Sequence, residues 1–83
     1  MGYEWLGPDA IYRQIAAVLR DRITGGTYQP GHAIPTAATL AGEFEVAANT
    51  VRQATKLLIG EGYLVGAQGR GVFVTAPETW PAT

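Results

Sequence analysis

Two stretches with helical periodicity are separated by only three residues, 45–47. Thr36 is a good N-cap for the first, which is predicted to be a short helix from residue 37 to about residue 44. The second is predicted to be a helix over about 48–61. Two helices joined by so short a turn must cross steeply, which is the helix-turn-helix geometry. The apolar positions expected to be buried are Leu40, Ala41 and Phe44 in the first helix and Val51, Ala54, Leu57 and Leu58 in the second.

A longer helix is predicted before this pair, from about residue 10 to residue 24. Asp9 can cap its first turn, and the glycines at 25 and 26 end it. A connector over 26–35 then contains the turn dipeptide Pro30-Gly31. Because apolar residues recur every three or four positions, one face of this helix is expected to be buried. That face consists of Ile11, Ile15, Val18, Leu19 and Ile23.

The last regular element is predicted to be a β-hairpin. Residues 63–65 and 72–74 are rich in strand-forming residues and flank a glycine-rich segment, 66–71. The order of elements predicts a mainly α fold with a small β-hairpin wing (α+β). This architecture is a winged helix-turn-helix with three helices plus the wing.

The length of 83 residues is enough for one domain. We expect that domain to span 9–75, after an N-terminal extension over 1–8 and before a tail or linker start over 76–83. The chain has no cysteine and a single histidine, His32, so no disulfide, metal site or cofactor is expected. No nucleophile with an orienting partner and no phosphate loop is visible, which argues against an enzyme. Without an apolar run of membrane-spanning length or a signal-peptide pattern, no contact with a membrane and a cytoplasmic location are expected.

The net charge of −1 is low for a nucleic-acid-binding module. The charges are unevenly distributed, however. Residues 46–75 contain Arg52, Lys56 and Arg70 but only one acidic residue, Glu61. Positive charge therefore gathers in the second predicted helix of the pair and in the hairpin.

Several short motifs together resemble the N-terminal DNA-binding domain of the GntR family, the gluconate-repressor type of bacterial regulator. The resemblance runs from about Ile11 to Val74. It is carried by Tyr12-Arg13-Gln14-Ile15, Gly26-Thr27-Tyr28-Gln29-Pro30-Gly31, Ile34-Pro35-Thr36, Val51-Arg52-Gln53-Ala54, Leu57-Leu58, Glu61-Gly62-Tyr63 and Gln68-Gly69-Arg70-Gly71-Val72-Phe73-Val74.

The resemblance implies sequence-specific binding of double-stranded DNA by a transcriptional regulator, most often a repressor. The helix over about 48–61 would enter the major groove and the wing, 66–71, the minor groove. A homodimer would read a two-fold symmetric operator. An effector ligand, if the regulator has one, would bind outside this segment, and the sequence is consistent with either a stand-alone short regulator or an excised domain.

The candidate DNA-binding residues lie on the recognition helix, at one helix cap and in the wing. Arg52 is the first candidate, for a guanine edge or a phosphate, whereas Lys56 is better placed for the backbone. Thr36 is first a helix cap, and the family position also meets a phosphate. An alternative without any DNA contact stays open for each residue, because polar side chains on a helix face or an arginine in a mobile loop are also ordinary solvent-exposed surface. The full set is Thr36, Asn49, Thr50, Arg52, Gln53, Lys56, Gln68, Gly69, Arg70 and Gly71.

Four alanines depart from the family pattern, at Ala37-Ala38 and Ala47-Ala48. Relatives commonly have Glu-Arg and Ser-Arg there, so two arginines that usually contact DNA are missing. Ala47 is also a poor N-cap, and Asn49 could take over that role by starting the helix later. We therefore expect weaker and more dimer-dependent DNA binding than is usual. The alternative is a winged helix used for protein–protein contacts with weak or no DNA binding.

Overall fold

Three helices and a two-stranded hairpin follow one another in a computed structural model, which describes residues 10–81. The helices are α1 (Ile11–Thr24), α2 (Ala37–Phe44) and α3 (Ala48–Glu61), and the strands are β1 (Leu64–Ala67) and β2 (Gly71–Val74). The predicted fold class and the boundaries of all three helices are confirmed. α3 packs against both α1 and α2, and β1 lies against α3.

The core is formed by apolar residues from every element. Eight large side chains are fully buried, namely Phe44, Ile15, Leu19, Ile23, Leu40, Leu58, Leu64 and Val51. No polar or charged residue within 10–81 is buried. The core therefore contributes stability by removing apolar surface from water, and every polar side chain in this range has at least partial access to solvent.

The inward face of α1 differs from the prediction at its first residue. Ile11 was expected inside but is 42% exposed, whereas Ala16 is fully buried. At 100° per residue, the buried positions of α1 centre roughly a quarter of a turn away from Ile11. Val18 and Leu57, also predicted inside, are only half-buried at the margin of the core. The predicted cap Asp9 lies outside the described residues, and Ala10, which precedes α1, makes no side-chain cap.

α2 ends in an unusual way. Its C-cap residue, Glu45, has the left-handed conformation, with φ 58° and ψ 47°, and its N–H donates to the carbonyl oxygen of Ala41. It is the single non-glycine residue with positive φ among residues 10–81. α3 ends instead at Gly62, whose φ of 94° suits glycine.

The hairpin is longer than the sequence indicated. β1 pairs with β2 from Leu64 opposite Val74 to Ala67 opposite Gly71, so that the expected tip of 66–71 is reduced to residues 68–70. The connector adds a third line of pairing on the other edge of β2. Ala33 forms a bridge with Phe73, flanked by hydrogen bonds from Ile34 N to Val72 O and from Gly31 N to Val74 O. This pairing supports the wing, because an isolated two-stranded hairpin is only marginally stable.

Candidate nucleic-acid interface

The polar face of α3 points away from the core. Val51, Ala54 and Leu58 are fully buried against the other elements. The helical period then turns the intervening positions outward. Of the five candidates on this helix, Asn49, Arg52, Gln53 and Lys56 are exposed and Thr50 is half-buried. The predicted recognition helix thus presents a continuous polar surface.

The start of α3 is uncapped by any side chain. The N-cap residue is Ala47, and no side chain within the described range accepts a capping hydrogen bond from the first backbone N–H groups. Asn49 lies inside the helix, two residues after the N-cap, so it does not take over the capping role. Its exposed amide is therefore available to a ligand, and the first turn of α3 presents unpaired N–H groups and a partial positive charge.

A cleft of about 430 Å³ lies between the start of α2, the polar face of α3 and the wing. It brings Thr36, Arg52 and Arg70 to one side of the molecule. The cleft is lined by Ala33, Ile34, Pro35, Thr36, Ala37, Arg52, Thr55, Arg70, Gly71 and Val72. Four of the ten sequence-predicted residues, from three different elements, therefore share one concave surface.

Thr55 is a member of this cleft that the sequence interpretation missed. It is half-buried, and its hydroxyl donates to the carbonyl oxygen of Arg52 at 3.0 Å. The available signal was its spacing, because a residue three positions after Arg52 shares its helix face. A threonine looks unremarkable on a polar face, and only the position of the wing makes it part of a cleft.

The wing tip is a tight turn. The N–H of Arg70 donates to the carbonyl oxygen of Ala67 at 2.9 Å, and Gly69, in the third position of the turn, has a φ of 76°. A type II turn requires such a positive φ at that position, which explains the glycine. Gln68, Gly69, Arg70 and Gly71 are all exposed.

Thr36 caps α2, as predicted. Its hydroxyl oxygen accepts from the N–H of Thr39 at 3.2 Å, and its hydroxyl group donates to the hydroxyl oxygen of Thr39 at 2.9 Å. The side chain is exposed at the edge of the cleft. To donate to a phosphate, the Thr36 hydroxyl would give up its hydrogen bond to the Thr39 hydroxyl, while its oxygen continues to accept the capping bond from the Thr39 N–H.

A second, shallower hollow of about 310 Å³ lies on the other flank of α3, where Tyr12 of α1 meets Gln53, Lys56 and Leu57. The two hollows divide the polar face of α3. Arg52 and Thr55 border the side of the wing, and Gln53 and Lys56 border the side of α1.

Ion pairs neutralise charges elsewhere on the surface. Arg20 binds Glu61 at 2.8 Å, and Arg22 forms an ion pair with Glu43 and a hydrogen bond to the hydroxyl of Tyr28. The hydrogen bond to Glu43 raises the pKa of Arg22 further above its already high ordinary value. Both pairs join α1 to the C-terminal end of α2 or α3.

The basic residues of the candidate interface are different. Within residues 10–81, Arg52, Lys56 and Arg70 form no ion pair with a carboxylate. Despite the net charge of −1, the uncompensated cations therefore collect on α3 and the wing. This is the charge distribution that attracts a polyanion.

Two other features are absent from the part of the chain that the structure describes. No group of three or more histidine, aspartate or glutamate side chains there could hold a metal ion. None of its helices combines the length and apolarity needed to cross a bilayer.

Residues 11–74 match the family model of bacterial regulatory proteins, gntR family. The chain belongs to the GntR family. The predicted resemblance is thereby confirmed over nearly the same range as the motifs that suggested it.

Relatives of this GntR-family chain include named repressors. The mannosyl-D-glycerate transport/metabolism system repressor MngR of Escherichia coli (strain K12) is 42% identical over 69 residues, which cover 83% of this chain. The HTH-type transcriptional repressor NagR of Bacillus subtilis (strain 168) is 39% identical over 71 residues, or 86% of this chain. The matched region is only 29% of the length of each relative.

The fold of the GntR-family domain is also found in complex with DNA. The structure of AraR(DBD) in complex with operator ORE1 is similar, with a TM-score of 0.76 and 33% identity. The similarity covers 90% of this chain and 89% of that one. A DNA-binding domain solved on its operator is thus similar to this chain over nearly its whole length.

Proposed function

We propose that this GntR-family domain binds double-stranded DNA with sequence specificity, as the operator-reading part of a transcriptional repressor. The observation that carries the proposal is the shared cleft, in which Arg52 of α3 and Arg70 of the wing lie together without an acidic partner among residues 10–81. The names of MngR and NagR as repressors, and the AraR structure on operator DNA, support DNA binding over the alternative role in protein contacts.

The docking follows from the shape of the surface. α3 would lie in the major groove, where each base pair presents a distinct pattern of donors and acceptors. Arg52 would read a guanine edge, with Asn49 and Gln53 near other bases and Thr50 and Lys56 on phosphates. Arg70 would enter the minor groove, with Gln68 and the backbone of Gly69 and Gly71 beside it.

The remaining parts of the proposal concern the whole regulator. It would act without catalysis in the cytoplasm, as a homodimer on a two-fold symmetric operator, and any effector would bind outside the segment described here. Because alanines stand at 37, 38, 47 and 48, we expect this domain alone to bind more weakly than is usual for the family. Each missing phosphate contact also makes the negative slope of log K against log salt shallower by about 0.9.

The test is selection of a duplex from a random-sequence library, followed by fluorescence anisotropy over a series of salt concentrations. We expect Arg52→Ala to weaken binding by about 1–3 kcal/mol and to relax specificity at one position. Arg70→Ala should weaken binding as well, by removing the minor-groove contact, and Lys56→Ala, which removes a proposed phosphate contact, should reduce the magnitude of the salt slope by about one unit. The matched control is Arg20→Ala, which changes the net charge equally but removes an arginine that is paired with Glu61.

Three results would contradict the proposal. The first is a failure to enrich any duplex at low salt, and the second is binding that is insensitive to ionic strength. The third is an equal loss of affinity in Arg20→Ala and Arg52→Ala, because net charge rather than the cleft would then account for binding. Nanomolar binding by the monomer at physiological salt would refute only the expectation of weak binding.

A further inference from the structure

The segment after the wing is bonded to the C-terminal end of α3. The N–H of Thr75 donates to the carbonyl oxygen of Tyr63 at 3.1 Å, and the hydroxyl of Thr75 donates to the carbonyl oxygen of Gly62 at 2.6 Å. Gly62 is the residue at which α3 ends. The two ends of the hairpin, just before β1 and just after β2, are therefore joined at the terminus of the proposed recognition helix.

Trp80 completes this junction. A 3-10 turn at Pro77–Thr79 reverses the chain, and the indole Nε1–H of Trp80 then donates to the hydroxyl oxygen of Thr75 at 3.1 Å. The bonds form a relay from the indole through the hydroxyl of Thr75 to the carbonyl oxygen of Gly62. Because each hydrogen bond polarises the next, the relay orients the Thr75 hydroxyl toward the end of α3.

The ring of Trp80 packs on Tyr63, with 6.1 Å between the ring centroids and a tilt of 39° between the planes. Tyr63 is only 6% exposed, and the guanidinium carbon of Arg20 lies 5.6 Å from the centre of its ring. The approach is close on the backbone side as well. A Cβ atom on Gly62 would lie 2.6 Å from the carbonyl oxygen of Thr79. Residues 75–80 thus form a fitted clasp on the base of the wing.

We propose that Trp80 is a positioning residue, which sets the angle between the wing and α3 and so the separation of Arg70 from Arg52. The inference rests on the proposed function, since it concerns how that interface is held in place. β1 and β2 have four residues each and are joined by a tight turn that carries Arg70. The clasp holds the opposite end of this hairpin, so a change in angle at the clasp moves the turn. If the clasp is released, the connector still pairs with β2, but the base of the hairpin opens more often and the direction of the wing is less fixed, so that Arg70 reaches its contact less reliably.

The experiment is a double-mutant cycle on affinity for the selected duplex. Trp80→Leu keeps apolar bulk but removes the ring and the indole N–H. We expect it to weaken binding about threefold to fivefold when Arg70 is present, and less than twofold in the Arg70→Ala background, since the contact that it positions is then already gone. Thr75→Val, which removes the hydroxyl at nearly constant shape, should follow the same pattern. Ala76→Ser, at an exposed position of the clasp, changes neither the net charge nor a bond of the relay; it is the control and should leave affinity unchanged.

A merely structural role gives a different result. Equal losses from Trp80→Leu in both backgrounds would overturn the inference, because the change would then act through the whole domain. Amide hydrogen exchange supplies an independent readout: amides that pair β1 with β2 should exchange faster in Trp80→Leu, whereas amides of α1 should not. If the unmodified domain selects no duplex, the proposed function fails and exchange alone tests the clasp. Equally faster amide exchange in α1 of Trp80→Leu would then overturn the inference, and faster exchange confined to the hairpin would support it.

Discussion

Glu45 occupies a backbone conformation that favours glycine, at the turn between α2 and α3. With φ 58° and ψ 47°, it closes α2 by donating its N–H to Ala41. Its side chain is exposed and forms no hydrogen bond or ion pair with the residues described, 10–81. The backbone strain at this position is therefore not offset by any contact of the carboxylate, and Glu45→Gly should stabilise the domain.

The magnitude follows from two opposing terms. The left-handed conformation costs a residue with a Cβ atom about 1–2 kcal/mol. Glycine avoids that cost but loses about 0.5–1 kcal/mol more conformational entropy on folding. The difference predicts a gain of about 1 kcal/mol in the free energy of unfolding, which corresponds to an increase of about 4–8 °C in Tm for a domain of this size.

Urea and thermal unfolding followed by circular dichroism measure the change, with Glu45→Ala as the control. Alanine removes the carboxylate but keeps the Cβ atom, so its effect should stay within about 0.5 kcal/mol. A gain from alanine equal to that from glycine would refute the reasoning, because charge rather than backbone conformation would then be the cause. An unchanged midpoint for Glu45→Gly would refute it as well.

The other predictions concern helix capping, backbone freedom and packing, and all use the same unfolding assay. Ala47→Ser should gain about 1 kcal/mol, because Ala47 has the extended conformation of an N-cap but no side-chain oxygen to accept from α3, and an equal gain from Ala47→Val would contradict a hydrogen-bonding cause. Gly42→Ala, in open space within α2, should gain up to about 1 kcal/mol, whereas Gly69→Ala, at a φ of 76°, should lose about 1–2 kcal/mol; effects of the same sign would show that the turn geometry is not the determinant. Leu58→Ala should cost about 2–5 kcal/mol because the side chain is fully buried, and a loss below 1 kcal/mol would mean that the core closes around the gap.

The helices could be predicted because the information for them is local. Thr36 is the cap of α2, as its position before an apolar period indicated, and the turn at 45–47 is as short as the sequence implied. The bounds of α3, the proposed recognition helix, were predicted correctly for the same reason. The prediction of the buried face of α1 was less accurate, because Ile11, which was predicted inside, is exposed and Ala16 is buried instead. An apolar period alone does not fix the rotation of a helix about its axis within the fold.

The candidate site was predicted as a set of residues but not as a shape. Arg52 and Arg70 are 18 positions apart in the chain, and their common cleft depends on where the hairpin rests against α3. Thr55 enters the site through the same placement. Thr75 and Trp80 gave no pattern in the sequence that distinguished a clasp from a tail.

The sequence by itself determined the order and extent of the helices, the short turn between α2 and α3, and the family, because caps, glycines and apolar periods act over a few neighbouring residues. Only the tertiary structure decided that the connector pairs with β2, that the wing shares a cleft with α3, and that Trp80 closes over Tyr63. These contacts join residues far apart in the chain. Their free energy depends on the packing of the whole domain, which no local pattern encodes.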